Sequence, residues 1–206
     1  VMDSCPDVQA AMPVKYQTGS YQNGFHSGSA LLFGVNEQMG QVLDVELLAG
    51  RLFTAGEASG MVRRVVVSQS LAEQLYGRTN VTGQQLYLTV AGQEQIFEII
   101  GVIRDQTQLL SGIAGSAVPT VIYLPYALLA DANQAADQVL LSCTGDTETV
   151  KRQLSAVAQG PLGLRSTIGV QNLSGYLSTV DDLAQKAVWV FLLVAGISMV
   201  VALGAV

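Results

Sequence analysis

Residues 187–206 read AVWVFLLVAGISMVVALGAV, with no charged side chain and only Gly196, Ser198 and Gly204 interrupting the apolar character. At about 1.5 Å of rise per residue such a helix is about 30 Å long, the thickness of a bilayer's hydrocarbon core. The run therefore reads as the start of a transmembrane helix. The alternative, a buried helix of a soluble core, conflicts with the absence of any polar face. Its place at the far end of the sequence excludes a signal peptide. The chain stops inside this run and opens on Val1 without an initiator Met or a basic leader, so both ends read as edges of a fragment. What precedes the run is long enough for one large domain or two small subdomains, each with its own core.

Charge bears on the side of the membrane and on partners. Asp181 and Asp182 stand against a single Lys186 just before the run, whereas cytoplasmic flanks are rich in Lys and Arg. The expected location is a cell membrane, with the domain on the extracytoplasmic side. Ten Lys plus Arg against sixteen Asp plus Glu, a net charge of −6, leave no cation cluster to neutralise phosphates, which excludes a nucleic-acid partner. Cys5 and Cys143 suit an oxidising compartment, and their spacing excludes a CxxC redox or zinc motif. They form a possible disulfide, or two unrelated buried thiols.

Periodicity and turn signals predict the elements. A helix is expected over about residues 3–12, with Asp3 or Ser4 as cap, Pro6 in the first turn, and Val8, Ala11 and Met12 on one side. A β-hairpin follows around the turn QNGFHSG, then a short helix near residues 37–43. VRRVVVS reads as a strand. SQSLAEQLYG reads as a helix capped by Ser68 or Ser70 and stopped by Gly77. QQLYLTVAG and QIFEIIGVIRD are two strands joined at Gly92, and residues 106–117 form a loop too apolar for a plain linker. VPTVIYLPY is a strand closed by Pro125, and ADQVLLSC another strand. A helix carrying Val150, Leu154 and Val157 precedes a last strand, GLRSTIGV. Leu173, Leu177, Val180, Ala184 and Ala187 then form one helical stripe that runs unbroken into the membrane segment, with Gly175 its only weak point.

The fold class is therefore α+β, in two subdomains. A porter-like α/β sandwich is formed by residues 1–49 and 118–170. A smaller strand-helix-strand-strand subdomain, residues 50–117, is inserted into it. A stalk helix at 171–186 enters the transmembrane helix at 187–206.

Chemistry is sparse. His26, the only histidine, sits in a Gly/Asn/Ser-rich turn and reads as an exposed turn residue. There is no GxSxG elbow, and SGIAGSA is neither a Walker loop nor GxGxxG. Asp181 and Asp182, adjacent on a helix, point in different directions and make a solvated face rather than a carboxylate dyad. The sequon NVT at Asn80 matters only in a glycosylating pathway. No catalytic, cofactor-binding or metal-ligating residue is expected.

Five stretches instead carry a resemblance: LLAGRLFTAGE, VVVSQSLAEQLYG, VTGQQLYL, FEIIGVIRD and VPTVIYLPY. Their order and spacing resemble the periplasmic core domain of MacB-like, or FtsX-like, ABC transporter permeases. The family motif falls on Gly50, Arg51, Phe53, Glu57, Leu75, Tyr76, Gly77, Gly83, Gly101 and Asp105, none of them catalytic in that family. The residue types agree: glycines permit tight turns, Phe53 and Tyr76 fill cores, and Arg51 can bridge to an acid such as Glu57.

The resemblance implies a domain held between the first and second transmembrane helices of a dimeric permease. Its partners would be a second permease subunit, a cytoplasmic ABC ATPase that is separate or fused, membrane lipid, and an extracytoplasmic adaptor or substrate protein. Such a domain transmits ATPase-driven motion to export or release a substrate. The alternative is a membrane-tethered ligand-binding or sensor domain without transport activity.

Overall fold

The computed structural model of the chain describes residues 6–24, 26–106, 120–129, 136–143, 149–150 and 152–153. From Val8 onward the stretch expected as an opening helix is a strand. Strand β1 (Val8–Asn23) runs for 16 residues, and in its first half Val8, Ala10, Met12 and Val14 are buried while Gln9, Ala11 and Pro13 lie more open. That period of two is the signature of a pleated strand. The spacing of Val8, Ala11 and Met12 suits a helix equally well, and long-range pairing decides between them. Strand β8 (Gln138–Cys143) hydrogen-bonds antiparallel along Val8–Val14, supplying backbone partners that no local pattern announces.

At Gly24, with φ +54°, the chain turns from β1 into β2 (His26–Val35), and the hairpin runs in register from Lys15↔Gly34 to Asn23↔His26. The expected short helix is α1 (Met39–Val42), and β3 (Leu47–Gly50) and α2 (Ala55–Ser59) follow. The Val-rich strand is β4 (Arg64–Ser68) and the helix after it α3 (Gln69–Tyr76). Gly77, left-handed at φ 66°, ends α3 and donates its N–H to Glu73 O, as the stop signal implies. Strands β5 (Gln85–Val90) and β6 (Gln93–Ile103) meet at Ala91 and Gly92, both at positive φ. Strand β7 (Val121–Pro125) then leads into α4 (Tyr126–Leu129).

The strands close on themselves. β2 pairs parallel with β7, β7 antiparallel with β4, β4 parallel with β6, and β6 antiparallel with β5. β5 then meets β1 through Tyr21↔Leu88 and Gln22↔Tyr87, and β1 already pairs with β2. Six strands thus form a ring, which removes the exposed edges of an open sheet. β3 adds to the second half of β6, and β8 extends the first half of β1. Strands of residues 50–117 share this network with β1, β2 and β7.

Alternation along each strand sorts the core into two parts. Tyr21, Leu32, Val65, Val67, Leu86, Leu88, Phe97, Ile99, Ile122 and Leu124 pack together in one cluster, joined by Leu71, Ala72 and Leu75 of α3. Phe33, Val35, Val66, Ile103 and Tyr123, from the opposite faces of the same strands, pack with Met39 of α1, Phe53, Ala58 of α2, and Leu140 of β8. Burial on both faces is why Val65–Val67 reads as an unbroken apolar run rather than an alternating one. Each fully buried Leu or Phe contributes about 1.5–3 kcal/mol relative to exposure.

No helix among the described residues is long and apolar enough to cross a membrane. The stalk at 171–186, the transmembrane run at 187–206, the strand GLRSTIGV, most of the apolar loop at 106–117, Leu154 and Val157 lie outside the described residues. Thr149, Val150, Arg152 and Gln153 are helical, within the span expected for the helix of Val150.

Candidate functional site

Four of the motif residues, Gly50, Arg51, Gly83 and Gly101, collect around β6. Gly50 takes φ 74°, a left-handed conformation that suits glycine, and stands opposite Gly101 in the β3–β6 register. A Cβ on Gly50 would collide with Ile100 O, and one on Gly101 with Arg51 O. Two backbones touch here because neither residue carries a side chain. Arg51 N then donates to Ile100 O at 3.0 Å. The loop bearing Gly83 lies alongside: Thr82 Oγ1 is 2.9 Å from the place a Gly50 Cβ would occupy, and Gly83 N donates to Ile99 O at 2.8 Å.

This backbone path aims Arg51 at Glu57. Arg51 Nη1 and Nη2 donate to the two carboxylate oxygens at 2.7 Å each, a planar two-point grip. Thr54, the residue before α2, donates both its backbone N–H and its hydroxyl to Glu57 Oε2 at 3.0 Å. The carboxylate thus reaches back to the helix start, as in a capping box. Arg64, at the start of β4, donates Nη1 to Glu57 Oε1 and Nε to Glu98 Oε2 at 3.3 Å. Glu57 is 8% exposed, whereas the Arg51 and Arg64 side chains are 48% and 36% exposed.

The Arg51 hydrogen bonds, then the Thr54 N–H, then Arg64 and the Thr54 hydroxyl, hold the Glu57 carboxyl far below the usual carboxylate range, against the opposing effect of burial. A carboxylate so fully engaged does not accept a proton near neutral pH. Its capacity is mechanical: it locks the β3–α2 turn to β4.

The remaining motif residues are also placed. Phe53 is buried in the cluster with α1 and α2, and Leu75 in the cluster with α3. Asp105, just past β6, accepts from Ser70 Oγ at 2.8 Å and from Ser70 N at 3.3 Å with each oxygen. It caps α3 from a distance; of the two expected caps, Ser68 precedes the helix without a side-chain cap bond, and Ser70 lies inside it as the donor to Asp105. Burial and then the charge of Asp105 push the Tyr123 hydroxyl above its ordinary range. Tyr76 Oη donates to Gln85 O at 2.9 Å, tying α3 to β5, and burial raises its pKa.

Sequence reasoning did not pick out Arg64 or Glu98 for this cluster, and named Ser70 only as a helix cap. The signal T-x-x-E at Thr54–Glu57 is legible as a capping pattern, but nothing local announces Arg64. His26 is exposed at the closing pair of the β1–β2 hairpin. Cys143 ends β8 opposite Val8, and Cys5 lies outside the described residues. Among the described residues no group of three or more His, Cys, Asp or Glu could hold a metal ion.

The periplasmic region of MacB from Actinobacillus actinomycetemcomitans superposes with a TM-score of 0.64 at 19% identity, over 84% of this chain and 76% of that one. The fold is thus the α+β fold of that periplasmic region. The model of the MacB-like periplasmic core domain matches residues 1–157, and the chain belongs to that family. Two similar curated proteins are both macrolide export ATP-binding/permease proteins. MacB of Aggregatibacter actinomycetemcomitans is 32% identical over 98 residues, or 48% of this chain. MacB 1/2 of Paracoccus denitrificans (strain Pd 1222) is 31% identical over 121 residues, or 59%. The matched stretches span only 14% and 17% of those two relatives.

Proposed function

We propose that this domain is the extracytoplasmic moving part of an ABC permease, carrying ATPase-driven motion across the membrane to export or release a substrate. The ATPase acts in the cytoplasm, separate or fused, and a second permease subunit completes a dimer. An adaptor or substrate protein engages the domain outside, and lipid surrounds the segment at 187–206. In this reading the porter-like lobe (1–49 and 118–170) takes the load, the inserted lobe (50–117) is carried on it, and the stalk at 171–186 delivers the motion. The motif residues Gly50, Arg51, Phe53, Glu57, Tyr76, Gly77, Gly83, Gly101 and Asp105 keep the inserted lobe stiff.

One observation supports the reading: the first and last described stretches lie side by side. Val8 lies opposite Cys143 in the β1–β8 register, and Gln153 Nε2 donates to Asp7 Oδ2 at 2.9 Å across 146 residues. A domain strung between two membrane helices requires its entry and exit side by side. Strand β1 is itself divided, with Val8–Val14 on β8 and Lys15–Asn23 on β2, so one continuous strand passes from the β1–β8 pairing into the ring.

The test is Val180→Pro in the full permease reconstituted with its ATPase. Pro at this position removes a backbone donor and clashes with the preceding turn, costing about 3 kcal/mol or more locally. Hydrolysis and domain folding persist while substrate movement is lost; Asp182→Lys changes little. Full transport in Val180→Pro would leave the helix a mere tether and favour the sensor alternative.

A further inference from the structure

Three asparagines stand among the described residues, and the fold treats them differently. Asn36 is held at both ends of its amide: Nδ2 donates to Ala11 O at 3.3 Å and Oδ1 accepts from Gln38 N at 3.1 Å. Asn80 Oδ1 accepts from Thr82 N at 3.4 Å, and the next residue, Val81, is fully buried. Asn23 ends β1 at the hairpin tip, and its side chain makes no hydrogen bond to any described residue. The residue after it is Gly24, exposed, at φ +54°, with nothing within 4 Å of where a Cβ would sit. Only Asn23 thus combines an untied amide with a following residue that has no side chain to bar the approach of its own nitrogen.

We infer that Asn23 is a site of spontaneous covalent modification by water, through a cyclic imide with Gly24. The Gly24 backbone nitrogen forms a bond to Asn23 Cγ. The bond from Cγ to the side-chain nitrogen breaks, and that nitrogen leaves as ammonia, taking the proton lost by the Gly24 amide. One water then opens the five-membered imide. Attack at Cγ returns an ordinary backbone with an aspartate side chain. Attack at the former backbone carbonyl leaves the chain running through Cγ, one carbon longer. Nothing is oxidised or reduced.

Either product replaces a neutral amide with a carboxylate, so the net charge of the chain goes from −6 to −7. The new charge lies at the pair Asn23↔His26 that closes the hairpin. The longer backbone product also breaks the register there, because strand pairing tolerates no uncompensated extra backbone atom.

The experiment ages the full chain, folded, in mildly alkaline and mildly acidic buffer, followed by peptide mapping that separates aspartate from its backbone isomer. The Asn23 peptide gains about one dalton, faster in alkali because the attacking amide must lose its proton. Asn36 and Asn80 lag at least about tenfold, and Gly24→Ala slows the reaction at Asn23 about tenfold or more, a barrier increase of about 1.4 kcal/mol. Asn23→Gln abolishes the signal at that peptide without touching Gly24. No mass gain at Asn23 in the folded chain, equal rates at Asn36 or Asn80, or an undiminished rate in Gly24→Ala each overturns the assignment.

Discussion

Replacing Glu57 with Gln keeps the shape of the side chain and removes the charge on which Arg51, Arg64 and Thr54 converge. Two cations lose their shared partner, and one of the two oxygens becomes an NH2 group facing donors. Hydrogen bonds to a buried charged group contribute about 1.5–3 kcal/mol each, but Arg51 and Arg64 are 48% and 36% exposed, so water compensates much of their loss. The net expectation is a destabilisation of about 2 kcal/mol. In urea titrations at neutral pH the midpoint falls while the slope stays constant, since the surface exposed on unfolding is unchanged.

The sign of the pH dependence adds a second readout. The folded-state pKa of Glu57 is depressed, so its contribution is complete above its unfolded pKa, about 4.3, and is lost as pH falls below that toward the folded value. The gap between wild type and Glu57→Gln is therefore widest at neutral pH and narrows in acid, where protonated Glu57 resembles Gln. A gap below about 0.5 kcal/mol at neutral pH, within the range of an ordinary surface substitution, would refute the reasoning. So would a gap that stays constant into acid.

Four further outcomes are expected. Gly101→Ala, which drives a Cβ into Arg51 O, destabilises by about 3 kcal/mol, while Gly77→Ala, strained in φ but with open space around it, costs about 1 kcal/mol; thermal melts of the two rank them. Asp105→Ala removes the carboxylate at the start of α3 and lowers stability by about 1 kcal/mol, seen in urea and as faster amide exchange in α3. If Cys5 and Cys143 are bridged, protein secreted through an oxidising compartment is about two daltons lighter than after reduction, and unchanged mass returns them to separate thiols. By contrast Glu46→Gln, in a pair whose side chains are 58% and 57% exposed, leaves the urea midpoint in place.

What the sequence determined alone was punctuation and local periodicity. Gly77, Gly92 and Pro125 end or turn the chain where their backbone constraints require, and the Val-rich run at residues 65–67 is a strand because apolar β-branched side chains favour one. The Arg51–Glu57 grip was legible because the two residues are only six positions apart, across the start of α2. Tertiary structure decided the rest. Residues 8–14 became a strand through pairing with residues 138–143, and the ring closed only when Tyr21 met Leu88. Asp105 found α3 across 35 residues, and Glu98 joined Arg64 across 34. Such partners leave no trace in local pattern, because a non-local pair is set by where strands cross, and that crossing is decided by burying two faces of one sheet at once.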